Sequence, residues 1–457
     1  MPTYDRARLE PAIVHVGVGG FHRAHLAVYV HELASHGCGF GIVGLGLLEG
    51  DASMAAALRS QDCLYTLIEK HGGEPSVRVI GSITRFVHAP VGDDSAASEL
   101  IAAPGTAILS LTITESGYAE PSPADRAAGR RTTFDRVAAA LAIRRDRAAG
   151  PITILSCDNV PRNGDAARAA TLSAADRLDR ALPKWVEDHC TFPNSMVDRI
   201  TPATAPEDRK WLRDSAGIDD GWPVVSEPFR QWVLEDDFAT DRPPWEEAGA
   251  LFTDRIHDWE QYKLRMLNAA HSSIAYLSAL AGITYVHEAV ALPALRTFLE
   301  GLLRHEAIPT LVEIPGHPRE EYAASVLERF ANVGVRDQIA RVCIDGSAKF
   351  PTFLIPTIEW QLARGGPIER ATTALAGWAR YLGVVDPGQQ AFDANGDAAR
   401  RYAAEATANP VAFLAYEAVF PPALRSSDRF RSAFAAAYER VATEGPIAAV
   451  QADGDGD

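Results

Sequence analysis

Lysine is scarce in this 457-residue chain: five lysines stand among 44 basic residues, and the rest are arginine. Cysteine is scarce as well. Its five copies, Cys38, Cys63, Cys157, Cys190 and Cys343, are scattered, odd in number and never spaced C-x-x-C. That excludes a disulfide framework and a cysteine-based zinc site, and fits reduced thiols in a reducing compartment. No apolar run approaches the ~20 residues needed to cross a bilayer. Residues 1–10 are too polar for a secretory signal. The expectation is a cytoplasmic protein with no membrane partner. An excess of positive charge is also missing: the formal net charge is −16. Nucleic acid is therefore excluded as a partner, since phosphate binding needs a basic surface. An anionic cofactor is not excluded, because backbone amides at a helix N-terminus can hold a pyrophosphate without net positive charge. Part of the acidity sits in residues 453–457, read as a frayed end. Internal repeats, a low-complexity linker and the H-E-x-x-H zinc motif are absent too.

What is present is a globular balance, 47% hydrophobic and 23% charged, on a chain too long for one ordinary core. In the first half, short apolar runs at residues 12–16, 41–45, 106–114 and 151–156, with a β-branched stretch at 76–83, alternate with helical stretches at 23–35 and 122–150. Strands alternating with helices predict an α/β domain with a mostly parallel sheet. From about residue 259 the pattern becomes helical, at 260–281, 292–304, 319–332, 370–382 and 398–408. Two domains are expected, residues 1–255 and 256–457. The sequence leaves the oligomeric state open, a monomer included.

Gly17-Val-Gly19-Gly20-Phe21-His-Arg23 follows a strand and opens a helix, the context of a dinucleotide fingerprint. The first glycine permits the tight turn and the second lets a pyrophosphate approach the backbone. His22 occupies the third position of G-x-G-x-x-G, so the match is incomplete, and a glycine turn capping a buried strand is the plain alternative. After the second strand, Glu49 and Asp51 are candidates for binding ribose hydroxyls. An acid there repels the 2′-phosphate of NADP and favours NAD; two solvated loop acids are the alternative. Asn159 lies beyond the carboxyl end of the 151–156 strand, where ligands sit in parallel α/β sheets. It reads equally well as the start of a turn.

Residues 259–271 are more telling. At about 100° per residue, Asn268 falls about 140° from Lys263, and His271 falls about 80° away, between the two. Glu260, one turn before Lys263, is on the same side. Leu264 and Ile274 share this face, which suggests burial. Arginine cannot give up its proton in a protein, whereas a desolvated lysine can act as a base. Metal-free oxidation of an alcohol needs such a base, together with neutral donors for the developing carbonyl oxygen. Asparagine amides are suitable donors, and a histidine can orient the substrate or carry a proton.

Several long segments then resemble one family, the polyol-specific long-chain dehydrogenases, and among them the mannitol-oxidising members most. They are residues 17–25, 111–118 (Leu-Thr-Ile-Thr-Glu-Ser-Gly-Tyr), 156–159 with Asn163-Gly164, 192–202, 224–236, 263–271 and 341–351. The resemblance implies an N-terminal Rossmann-type domain, a mostly helical C-terminal domain, NAD as cofactor and no metal. It implies Lys263 as general base, Asn159 and Asn268 as the oxyanion hole, His271 orienting substrate and Glu260 on a proton path. It assigns substrate hydroxyls to Asp198 and Arg341. It assigns the cofactor to Gly17, Gly19, Gly20, Phe21, Arg23, Asp51 and Glu115. The acid-bearing loop departs from the family pattern, and Asp51 is aligned with the NAD-selecting acid. The expected reaction is oxidation of a sugar alcohol to a ketose, D-mannitol to D-fructose. The alternatives are D-arabinitol 4-dehydrogenase, a fructuronate reductase, for whose carboxylate Lys349 or Arg341 could serve, and a non-catalytic NAD-binding sensor.

Overall fold

The apolar runs of the first half become strands whose successive residues face opposite ways into two separate cores. In the computed structural model they are β1 (Glu10–Val16), β2 (Phe40–Gly46), β3 (Tyr65–Glu69), β4 (Ser76–Ile80), β5 (Ile83–His88), β6 (Ile108–Leu111), β7 (Ile152–Ser156), β8 (Cys190–Thr191), β9 (Ser195–Asp198), β10 (Val224–Ser226), β11 (Gln231–Leu234) and β12 (Leu251–Phe252). The structure describes residues 1–90, 94–128 and 130–452, so the acidic tail lies outside it. The chain divides into two units, Met1–His257 and Asp258–Asp457.

In the first unit, six strands form a sheet in the order β5-β2-β1-β6-β7-β8, with every pairing parallel. Counted along that sheet alone, the order is 3-2-1-4-5-6, the Rossmann arrangement, and it reverses between β1 and β6. Ile13, Ile42, Ile108 and Leu155 pack into one core with the helix Leu26–Ser35. Val14, Val43, Leu109 and Ile154 pack into another with the helices Thr133–Asp146 and Asn163–Leu178. Both faces are covered, which is why these strands read as continuous apolar runs rather than alternating ones. Two three-stranded sheets, β10-β3-β4 and β12-β11-β9, complete the unit.

Three local expectations change. Residues 76–83 are not one strand: β4 belongs to a small sheet and β5 to the large one. The step between them is fixed by two side chains, Arg6 Nε donating to Gly81 O at 2.9 Å and Ser82 Oγ donating to Ala27 O at 2.6 Å. The 23–35 helix is broken at His25 (φ −122°, ψ −96°), where the His25 ring lies 3.0 Å from the Gln231 carbonyl. The 106–114 strand stops at Leu111, and Thr114 turns to φ +63°.

The second unit is built from helices. Its Ala269–Leu280 helix packs on Glu369–Val384. The approach is close because position 377 is glycine: a Cβ there would sit 2.7 Å from Leu277 Cδ2. The expected 260–281 helix is three pieces: an α-helix Ile256–Tyr262, a π-helical turn Lys263–Asn268 and the α-helix Ala269–Leu280. A second π-helical turn, Leu302–Ala307, carries the fully buried Glu306. Its carboxylate accepts the N–H groups of Arg370 (2.8 Å) and Ala371 (2.9 Å) in the first turn of Glu369–Val384.

Burial pushes the Glu306 carboxyl up from 4.5 to about 7, outweighing those two bonds and the Arg370 charge. The folded chain therefore holds this proton more tightly than the unfolded chain. The stability so gained is complete below the unfolded value and is lost as pH rises through the folded one. The unfolding temperature is predicted to fall between ~pH 5 and ~pH 8 more steeply in the wild type than in Glu306→Gln. Parallel slopes in thermal melts would remove Glu306 as the source.

Candidate active site

The turn after β1 is shaped by one close approach. Gly17 has φ +86°, and a Cβ there would lie 2.1 Å from the Thr112 carbonyl oxygen beyond β6. Only glycine satisfies both conditions. Thr112 Oγ1 donates to Gly17 O at 2.6 Å. Beneath them His15 spans the same strand pair, Nδ1 at 2.7 Å from Ser110 Oγ and Nε2 at 2.8 Å from Thr112 Oγ1. His22, at the third fingerprint position, stacks on His15 with ring centroids 3.4 Å apart. Burial pushes His15 down to about 3, so the ring is neutral. At Gly19 a Cβ would meet nothing closer than Gly17 O at 3.9 Å, so this side of the turn is open to a ligand. Gly20 opens the helix Gly20–Ala24.

Phe21 and Arg23 are engaged within the unit's own packing. Phe21 stacks on His25 at 4.9 Å. Arg23 is buried, donates to Trp222 O at 2.5 Å and lies over the Tyr65 ring. Asp51 ends a 3-10 turn after β2, and its Oδ2 accepts the Leu48 N–H at 3.0 Å, while Glu49 is exposed. The residues present fit a dinucleotide: a tight turn, an open second glycine and a carboxylate after the second strand.

Glu115 is exposed in the 3-10 turn Glu115–Tyr118 that follows β6. Asn159 is exposed beyond the end of β7. Between these segments stands a residue the sequence reading passed over, Asp158. Its Oδ1 accepts the Thr114 N–H and its Oδ2 accepts the Tyr118 hydroxyl, both at 2.7 Å. Burial raises the Asp158 carboxyl, against the lowering by these donors. Asp198 is the last residue of β9, buried and opposite Gln231.

The second unit carries the remaining candidates. Glu260 and Lys263 are 5% and 8% exposed. The α-helical wheel does not hold past them, because Ala269 N–H bonds back to Leu264 O, an i→i+5 link. Such a turn winds in one extra residue and retards the wheel by roughly 100°. Asn268 then falls about 40° from Lys263 instead of about 140°, and His271 about 20° to the other side. The π turn thus gathers the three onto one narrow face. Asn268 Oδ1 is buried without a hydrogen-bond partner.

His271 stacks on Phe330 at 3.9 Å, and its Nε2 lies 3.8 Å from Asp337 Oδ2 without a hydrogen bond. Burial pushes the imidazole down to about 3, outweighing the Asp337 charge. Arg341 holds the same carboxylate twice, Nε to Oδ1 at 2.7 Å and Nη2 to Oδ2 at 2.5 Å. Burial alone would raise the Asp337 carboxyl, but Arg341 holds it below its usual range. Asp337, a second residue the sequence reading missed, therefore joins two of the candidates. Its i,i+4 spacing from Arg341 is the signal that could have found it. Among the described residues no group of three or more His, Cys, Asp or Glu side chains is arranged to hold a metal ion, and no helix is long and apolar enough to cross a membrane.

Two family models match, the mannitol dehydrogenase Rossmann domain over residues 11–247 and the mannitol dehydrogenase C-terminal domain over residues 255–442. The chain belongs to the mannitol dehydrogenase family. It is 42% identical to a mannitol 2-dehydrogenase of Aspergillus terreus, over 97% of this chain and 93% of that one. It is 40% identical to a mannitol dehydrogenase of Saccharomyces cerevisiae, over 99% and 94%. Among solved structures, mannitol 2-dehydrogenase of Pseudomonas fluorescens in a ternary complex with NAD and D-mannitol matches with a TM-score of 0.91 and 37% identity, over 100% of this chain and 96% of that one. A substrate-free D-sorbitol dehydrogenase matches with a TM-score of 0.86 and 35% identity, over 98% and 96%.

The Gly17 contact gives a direct test. Gly17→Ala forces a side chain into Thr112 O and strains a positive φ, so dinucleotide binding is predicted to weaken more than ~ten-fold. Fluorescence titration with NADH reads it, and wild-type affinity in the variant would remove this contact from the cofactor loop.

Proposed function

We propose that this chain is an NAD-dependent polyol dehydrogenase that interconverts D-mannitol and D-fructose, with Lys263 as general base and no metal. The observation that carries the reading is full-length likeness, in both family models and in fold, to an enzyme solved with NAD and D-mannitol. Asp51, in the 3-10 turn after the second strand, supports NAD over NADP, since a carboxylate there repels a 2′-phosphate.

NAD, when bound, accepts the hydride released from the carbinol carbon. Lys263 takes the hydroxyl proton as the carbonyl forms, and Glu260, equally buried one turn earlier, passes it on. The amides of Asn159 and Asn268 donate to the oxygen on which negative charge develops, the task a Lewis-acidic metal performs elsewhere. His271, neutral at working pH, orients a hydroxyl by hydrogen bonding rather than by charge. Asp198 and Arg341 hold further hydroxyls.

The Asp337–Arg341 pair favours a neutral substrate over a sugar acid. The guanidinium already meets a carboxylate through two bonds, so a second carboxylate would have to compete with a buried partner. Lys349 Nζ donates to Val342 O at 3.0 Å.

Two measurements test the reading. NADH formation is followed with mannitol, arabinitol, sorbitol and xylitol, and NADH oxidation with fructose and fructuronate. Turnover of mannitol and fructose is expected. Preference for arabinitol changes the substrate and keeps the chemistry, whereas turnover of fructuronate alone overturns the neutral-substrate reading. Silence on all of them with NADH still bound points to a sensor. Lys263→Ala is then expected to lower kcat by roughly three orders of magnitude or more with NADH affinity kept. Unchanged turnover would sink the assignment of the base, and a chelator-induced loss reversed by zinc would overturn the metal-free mechanism.

A further inference from the structure

Segments from three places along the first unit converge on one residue. Asp158 takes the Thr114 N–H on one carboxylate oxygen and the Tyr118 hydroxyl on the other. The Tyr118 oxygen also lies 2.6 Å from Ser156 Oγ at the end of β7. The Asp158 carbonyl accepts from Asn163 Nδ2 at 3.0 Å. That same amide pairs with the backbone of Ser195, the first residue of β9, donating to its O at 2.8 Å and accepting its N–H at 2.9 Å. Asp158 thus connects the loop after β6 with the turn after β7 that bears Asn159, and Asn163 carries the connection on to the strand that ends in Asp198.

The loop it holds does not rest in an ordinary conformation. Thr114 has φ +63° and ψ 166°, a region that suits glycine and is unfavourable for a β-branched residue. A residue stays there only when its surroundings over-determine it. The Gly117 N–H bonds to Thr114 O at 3.0 Å within the loop, and Asp158 grips the Thr114 N–H from outside it. An ionised carboxylate accepts on both oxygens, so one side chain can take two donors of the same loop at once. The place matters as well. The loop follows β6, at the strand pair where the sheet order reverses, and dinucleotides bind at the carboxyl ends of strands around that point.

We propose that Asp158 is the positioning residue of the site. By gripping Thr114 and Tyr118 it holds the loop after β6 in its strained form, and so sets the cofactor-binding edge and the adjacent Asn159 amide as one rigid piece. This rests on the oxidoreductase reading above, but its binding arm can be judged without turnover.

The experiment compares full-length wild type with Asp158→Ala, Asp158→Asn, Thr114→Gly and the double variant Asp158→Ala/Thr114→Gly. NADH affinity is measured by fluorescence titration, kcat and KM by turnover, and folding by thermal melting. Asp158→Ala should lower kcat about 100-fold, the cost of a small misplacement of reacting groups, and weaken NADH binding about ten-fold. Asp158→Asn should recover most of this, because the Tyr118 hydroxyl can turn to accept from the new amide. The decisive arm is the double variant. Glycine adopts the Thr114 conformation without a grip, so adding Thr114→Gly should restore at least about ten-fold of the lost kcat or NADH affinity. A role in stability alone predicts the opposite, since the double variant would melt lower and work worse. Wild-type NADH affinity and kcat in Asp158→Ala, or a double variant no better than the single one, overturns the proposal. If the wild type turns over nothing while its NADH affinity still tracks these substitutions, the dehydrogenase reading fails and the grip stands.

Discussion

The contact between Gly17 and Thr112 is the point on which the first unit's chemistry depends. β1 and β6 are neighbours in the sheet, but the chain leaves them for opposite halves of the fold. Their carboxyl ends are therefore where a groove opens. What keeps the two ends together is backbone against backbone: Thr112 N–H bonds to Val16 O at 3.0 Å, and Gly17 turns under Thr112 O with no room for a side chain. His15 stitches the same pair from below, neutral because it is buried. The turn after β1 and the loop after β6 both start from this joint, so the strain at Thr114 is anchored at one end by the joint and at the other by Asp158.

The second unit uses a different device for the same purpose. A π turn is rare and is found frequently at functional sites. Here it costs regularity and gains register, since residues five apart in sequence come to share a face. Lys263 and Asn268 are such a pair. The regular helices on either side, Ile256–Tyr262 and Ala269–Leu280, bound the distortion.

The sequence is most legible where one physical rule governs many residues. Strands buried on both faces are mostly apolar, so β1, β2, β6 and β7 stand out, and the helices Arg319–Phe330 and Glu369–Val384 follow their periodicity to within a few residues. The glycine turn is legible because its constraint is local. The π turn is not, since nothing in Lys263–Asn268 distinguishes it from an α-helix, and the register error follows directly from assuming one. The split of residues 76–83 depends on Arg6 and Ala27, far away in sequence. Asp158 escaped notice for the same reason, and Asp337 because its burial, unlike its spacing from Arg341, cannot be read from the chain. Each is a buried carboxylate defined by its partners, and burial is not written in one residue's identity.

The scarcity of lysine takes on a clear meaning once the five are placed. Lys184 and Lys210 are exposed and paired with Asp188 and Asp214 one helical turn on, a surface role that arginine fills equally well. Lys70 pairs with Asp208, and Lys349 donates to the Val342 carbonyl. Lys263 alone of the five is in the buried class. A buried cation is costly, and a protein with arginine as its default has no packing reason to put an ammonium there. Arginine would fill the same space and could never release its proton. A lysine in that position, with a buried carboxylate one turn before it and an asparagine brought under it by the π turn, fits the general base proposed above.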